Sequence, residues 1–158
     1  MSNSGTLTYS PLLGVVLAVE DMERASLFYQ KLGFQQEIAL QGGDGQLVHV
    51  TLRFGPNVLM LGRLGVTHYA NEVRAREIGA GPRGLGVTLL IVVPDLQAVY
   101  DAVKEACLEV LLEPVDEYYG DRVFMFIDPF GYEWKIAQAI KQMSPEEVIQ
   151  ASGLHGNA

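Results

Sequence analysis

The sequence predicts an α+β fold made of two tandem β-α-β-β-β units, and three observations carry that prediction. Apolar, β-branched runs at Leu12 to Val19 and Val87 to Val93 are each followed two residues later by an aspartate, Asp21 and Asp95. Each aspartate precedes a stretch with apolar residues at helical spacing, the pattern of a capped helix start. The two aspartates stand 74 residues apart (95 − 21), and the same offset carries Phe54-Gly55-Pro56-Asn57 onto Asp128-Pro129-Phe130-Gly131. A shared offset at a helix start and at the last hairpin marks a duplication.

In the first unit, Leu12 to Val19 reads as a buried strand. Asp21 offers an N-cap carboxylate, and Ala25, Phe28, Tyr29 and Leu32 fall at the i, i+3, i+4, i+7 spacing of one helix face. Gly33 is placed to end that helix in a left-handed conformation. Three strands follow at Phe34 to Gln41, Gln46 to Phe54 and Asn57 to Gly62, joined by Gly42-Gly43-Asp44-Gly45 and Gly55-Pro56.

The second unit repeats this order. Asp95 caps a helix whose face is Leu96, Val99, Val103 and Cys107, and strands follow at Leu108 to Glu113, Arg122 to Ile127 and Tyr132 to Ala137. Cys107 stands where the first unit has Gly33, and it lacks glycine's access to positive φ. Free cysteine packs as a small hydrophobe, so a buried structural thiol is expected there. Residues 64–85 form a glycine-rich linker in which Asn71 to Ile78 could make a short helix. Ser144-Pro145-Glu146-Glu147 sets an N-cap, a proline at N1 and a capping-box glutamate in register, predicting a last helix over about 144–152. The expected organisation is one domain over 1–158, with modules at about 10–63 and 86–140.

Composition narrows the function. Apolar residues make up 49% and charged ones 19%, which is a globular balance. A net charge of −8 argues against nucleic acid and anionic membranes as partners, since either needs a basic face. One cysteine precludes an intrachain disulfide framework, and Met1 to Pro11 is polar with no secretory pattern, so a cytoplasmic protein is expected. There is no Gly-x-Ser-x-Gly, no Gly-x-x-x-x-Gly-Lys and no Cys-x-x-Cys.

Two stretches carry a family resemblance. Val19-Glu20-Asp21-Met22-Glu23-Arg24-Ala25-Ser26-Leu27-Phe28-Tyr29, closing at Leu32-Gly33-Phe34, looks like the first module of the vicinal oxygen chelate (glyoxalase/bleomycin-resistance/extradiol dioxygenase) superfamily. Tyr119-Gly120-Asp121-Arg122, Asp128-Pro129-Phe130-Gly131-Tyr132-Glu133-Trp134 and the tail Met143-Ser144-Pro145-Glu146-Glu147 are similar to its glyoxalase-like bacterial subgroup. The resemblance implies curved mixed sheets forming a cup, and a homodimer. It also implies, for enzymatic members, a divalent metal held by His or Gln from each first strand and Glu from each last strand. Carried over residue by residue, the first-strand positions fall on Gly14 and Thr88, and the last-strand positions on Met60 or Leu61 and on Lys135. None suits a divalent cation, so the resemblance implies a member without the usual metal site and with no cofactor.

Alternation along the strands then nominates ligand contacts. In the third strand His49, Thr51 and Arg53 share one side, and Val48, Val50 and Leu52 the other. In the strand Arg122 to Ile127, Val123, Met125 and Ile127 form an apolar set expected against the helix, leaving Arg122, Phe124 and Phe126 facing the cup or solvent. Phe124, Phe126 and Trp134 would offer flat stacking surfaces, or else pack in the core. Arg122 is a candidate anion contact or the partner of Asp121 or Asp116, and Tyr118 and Tyr119 sit on a loop beside Gly120. His49 reads as a pocket residue or as an idle strand histidine, and His68 and His155 as loop and tail histidines without a role. The expected function is metal-free binding of a small organic ligand, for sequestration or sensing. The rival is a metal-dependent glyoxalase, epimerase or dioxygenase with displaced ligands His49, Glu113 and Glu133.

Overall fold

The computed structural model describes residues 14–66 and 72–153, which fold into α+β units each built on a four-stranded mixed sheet. The chain divides into two such units, Met1–His68 and Tyr69–Ala158. His68, His155 and the expected strand start at Leu12 and Leu13 lie outside the described residues, as does Asn71.

In the first unit, β1 (Val15–Val19), α1 (Met22–Lys31), β2 (Gln35–Gln41), β3 (Leu47–Phe54) and β4 (Asn57–Arg63) follow in chain order. The sheet order is β1-β4-β3-β2, with β1 parallel to β4 and the other pairs antiparallel. Asp21 accepts from the Arg24 backbone N–H at 2.9 Å and starts α1. At the other end the N–H groups of Gly33 and Phe34 return to the carbonyls of Gln30 and Tyr29, and Gly33 has φ +101°. Met22, Ala25 and Tyr29 are buried with Leu17, Val19, Val50, Leu52, Leu59 and Leu61, the apolar layer between helix and sheet. Each such aliphatic side chain is worth about 1.5–3 kcal/mol when buried, so this layer holds α1 in place.

In the second unit, α2 (Glu72–Ala80) buries none of its residues, and β5 (Thr88–Val92), α3 (Leu96–Glu105), β6 (Val110–Asp116), β7 (Asp121–Ile127), β8 (Glu133–Ala139) and α4 (Pro145–Ser152) follow. The sheet order is β5-β8-β7-β6, with β5 parallel to β8. Asp95 accepts from the Ala98 N–H at 3.1 Å, and Ser144 with Glu147 forms the expected capping box of α4. None of the described helices is long and apolar enough to cross a membrane.

The repeat is in register with one exception. Val15 pairs with Leu59 and Leu89 with Trp134, so the first strands are offset by 74 (89 − 15) and the last strands by 75 (134 − 59). The extra residue lies in the closing loop. Arg53 pairs with Val58 across four residues, 54–57, whereas its counterpart Ile127 pairs with Glu133 across five, 128–132. The 74-residue offset expected at the helix start and the last hairpin therefore becomes 75 in the last strand: Met60 is the counterpart of Lys135.

The strand expected over Leu108 to Glu113 begins later, at Val110, because the Leu108 N–H is used to close α3 onto the Val103 carbonyl. β6 carries two register shifts and contains Pro114, and β2 carries two shifts as well.

Cys107 is the second departure. It adopts φ +54° and is exposed, not the buried thiol expected from its apolar neighbours. It occupies the position after the helix end at which Gly33 stands in the first unit, and its own N–H bonds the Lys104 carbonyl at 3.0 Å. A left-handed conformation costs a non-glycine residue about 1–2 kcal/mol. Cys107→Gly is therefore expected to stabilise the protein by about 1 kcal/mol, partly offset by the greater freedom of the unfolded chain. Urea unfolding should show a higher midpoint at unchanged slope, and an unchanged or lower midpoint would mean that this position is not strained.

Candidate functional site

Which side of each sheet faces its helix decides which side chains remain for a ligand. In the first unit Ser26 of α1 donates to the Gln36 side chain at 2.8 Å, and Gln36 is in register with Leu52. Val50 and Leu52 therefore face α1, and His49, Thr51 and Arg53 point to the far face, as alternation requires. In register with them lie Gly62, Met60 and Val58 of β4, and Leu40 and Ile38 of β2. His49 is half-buried, and its Nε2 shares a hydrogen bond of 3.0 Å with the Thr51 hydroxyl, which is itself buried. Arg53 is paired with Glu37 at 2.5 Å across the β2–β3 ladder.

In the second unit the expected faces are reversed. The Leu96 N–H of α3 donates to the Gln138 side chain at 2.9 Å, and Gln138 is in register with Arg122. Tyr100 of α3 meets Phe124 edge-on with ring centroids 5.3 Å apart, and Phe124 stacks on Phe126 at 5.8 Å. Phe124 and Phe126 are fully buried and Trp134 is 3% exposed. Of the two readings of these aromatics, stacking surface or core, the buried one holds here, and they form the layer beneath α3. Aromatic rings bury more apolar area than Val, Met or Ile, and here that area goes to the helix. Arg122 is locked in a two-toothed pair with Asp116 at 2.5 and 2.9 Å, which holds the Asp116 carboxyl below its usual range.

The far face of the second unit carries Thr88, Leu90 and Val92 of β5, Glu133, Lys135 and Ala137 of β8, and Met125 and Ile127 of β7. Two polar pairs stand out. The Thr88 hydroxyl donates to the Glu133 carboxylate. The Lys135 ammonium donates to the Tyr119 hydroxyl at 2.8 Å and lies 5.4 Å from that ring's centroid. The hydrogen bond to Tyr119 raises the Lys135 pKa above its ordinary value, and the charges of Glu117 and Asp121 act in the same direction against a desolvation cost. Tyr119 was nominated from its loop position. Its bond to Lys135 joins residues 16 apart and becomes visible only once the β7–β8 register is known.

This donor set does not fit the divalent metal of the resembling enzymes. Gly14 has no side chain, Met60 offers a thioether, the Thr88 hydroxyl is bonded to Glu133, and Lys135 places a cation at the last-strand position. Leu61 is fully buried, on the α1 side with its partner Val50. Nor do the two displaced ligands of the second unit converge. Glu113 accepts from Tyr100 and lies 3.9 Å from Lys104, both on α3, while Glu133 bonds Thr88 on the opposite face. Among the described residues, no three His, Cys, Asp or Glu side chains come together as a metal site.

A family model described as the Glyoxalase/Bleomycin resistance protein/Dioxygenase superfamily matches residues 12–136. An uncharacterized protein of Mycobacterium bovis is 27% identical over 153 residues, spanning 96% of this chain and 98% of its own length. Another, from Mycobacterium tuberculosis, is 27% identical over 153 residues, with 96% and 88% covered. Among solved structures, TioX from Micromonospora sp. ML1 superposes with a TM-score of 0.64 at 21% identity, covering 82% of this chain and 99% of that one. A glyoxalase/bleomycin resistance protein/dioxygenase from Nocardioides gives 0.56 at 19% identity, covering 89% and 90%. At these identities the structural likeness speaks for the fold alone.

Proposed function

The chain belongs to the Glyoxalase/Bleomycin resistance protein/Dioxygenase superfamily, and from that premise we propose that it binds a small organic molecule without the divalent metal used by enzymes of this kind. The observation that carries the reading is the residue at the last-strand ligand position: Lys135, a cation bonded to the Tyr119 phenol. A divalent ion there would meet like charge and lose a carboxylate ligand at once. His49, Thr51 and Arg53 are the contacts proposed on the first unit's sheet, and Tyr119 is proposed separately, on the second unit. Sequestration or sensing in the cytoplasm, by a homodimer, is the biological setting that this reading assigns. Phe124, Phe126 and Trp134, buried against α3, and Arg122, on the α3 side of the sheet, are left out of the proposed contacts.

The test combines elemental analysis with thermal shifts. Protein purified without chelator is expected to carry no stoichiometric metal, and Mn²⁺, Fe²⁺, Ni²⁺ and Zn²⁺ should leave its melting temperature unchanged. A small-molecule ligand at 100 times its dissociation constant should add about 2.7 kcal/mol, or about 5–10 °C for a chain of this size. A saturable metal-dependent rise that is lost in His49→Ala or Glu133→Gln would overturn the reading in favour of a metalloenzyme.

A further inference from the structure

We propose that Lys135 and Tyr119 form an anion-binding subsite on the far face of the second unit's sheet, and that the molecule held there is an amphipathic organic acid. The inference rests on the small-molecule reading above and names the ligand class.

The argument starts from donors. An ammonium has three N–H groups, and Lys135 directs one of them at the Tyr119 oxygen. Among the described residues Lys135 makes no ion pair, although Glu133 stands two positions away on the same face. Glu133 is engaged instead by the Thr88 hydroxyl. Because the Tyr119 oxygen accepts from the ammonium, its own O–H is left to donate elsewhere. Two N–H groups and one O–H thus stand together around a positive charge, and that is the complement of a carboxylate.

The surroundings define the rest of the molecule. Leu90 and Met125 flank Lys135 in register on the neighbouring strands, and Leu112 lies beyond Met125. Leu90 is 61% exposed, and Val92, one step along the same face, is 54% exposed. A cation in a row of uncovered aliphatic side chains suits a ligand with one charged end and an apolar body. The raised Lys135 pKa keeps the charge present throughout the neutral range.

Benzoate, 2-naphthoate and octanoate, each beside its uncharged amide, are the probes, with affinities measured by isothermal titration. At least one acid is expected to bind at least tenfold more tightly than its amide. Lys135→Met should remove that preference, Lys135→Arg should retain most of it, and Tyr119→Phe should weaken the acid about three- to tenfold while leaving the amide unchanged. Circular dichroism and melting temperature check that each variant is folded. Equal binding of acid and amide by the native protein, or a preference that survives Lys135→Met, would overturn the subsite while leaving small-molecule binding intact. Failure of every acid to bind at about 5 mM would likewise overturn the subsite, while the broader reading stands or falls on its own metal and thermal-shift test.

Discussion

Asp128→Ala is expected to cost about 3–5 kcal/mol of stability, a large part of what a domain of this size possesses. Asp128 is 3% exposed, and its two oxygens serve at least three donors. One oxygen accepts from the backbone N–H groups of Phe130 and Tyr132, each at 2.9 Å, and the other from the Trp134 indole N–H at 2.9 Å. Removing the carboxylate strands all three donors in a buried loop, and each would forfeit about 1–3 kcal/mol less whatever relaxation recovers. Asp128→Asn should cost less, because an amide oxygen can still serve the two backbone groups. Its NH₂ would, however, confront the indole N–H. Trp134 is the one tryptophan of the chain, so its fluorescence reports on the altered contact directly. Urea unfolding followed by that fluorescence should place Asp128→Ala well below the native midpoint. A loss under about 1 kcal/mol would show that the loop holds without its carboxylate.

Gly120→Ala is expected to be nearly as damaging, at about 3 kcal/mol. Gly120 is buried with φ +95°, and an added Cβ would lie 2.4 Å from the Lys141 backbone oxygen. That oxygen cannot swing aside, because the Gly120 carbonyl accepts from the N–H groups of both Ile140 and Lys141 at 2.9 Å. The melting temperature should fall by about 6–12 °C. Gly43→Ala is the control, since nothing lies within 4 Å of a Cβ there, and it should change stability by no more than about 0.5 kcal/mol. Because Gly120 follows Tyr119, a folded Gly120→Ala protein should also weaken any carboxylate bound at Lys135. If the two glycines respond alike, backbone crowding at Gly120 is not what fixes that turn.

Local chemistry made the fold readable from sequence. Asp21, Asp95 and Ser144 cap helices through contacts three residues away, and Gly33 ends α1 through contacts no further than Tyr29. Such interactions leave marks within a short window. The faces of β3 were legible because its two sides differ in polarity, with His49, Thr51 and Arg53 against Val50 and Leu52. Those of β7 were not, because Val123, Met125 and Ile127 are as apolar as Phe124 and Phe126. Alternation separates two sides of a strand without saying which one meets the helix. Tyr100, which settles the matter, lies 24 residues upstream of Phe124 (124 − 100). The candidate site suffered for the same reason. In the sequence Lys135 is only an unsuitable metal ligand and Tyr119 only a loop aromatic, and the bond between them depends on a fold that brings 119 beside 135. Asp128 bonds Phe130 and Tyr132 within its own loop, but its bond to the Trp134 indole reaches onto β8 and needs the closed hairpin.

The irregular strands at the margins have a further consequence, for solubility. Among the described residues each sheet ends in strands paired on one side only, and an open strand edge can recruit a foreign strand and seed open-ended polymerisation. β2 and β6 are poor templates for that. Both are interrupted by register shifts, and Pro114 removes one donor from β6. Two of the four outer margins are thus blunted by the chain's own geometry, and a net charge of −8 adds mutual repulsion between molecules.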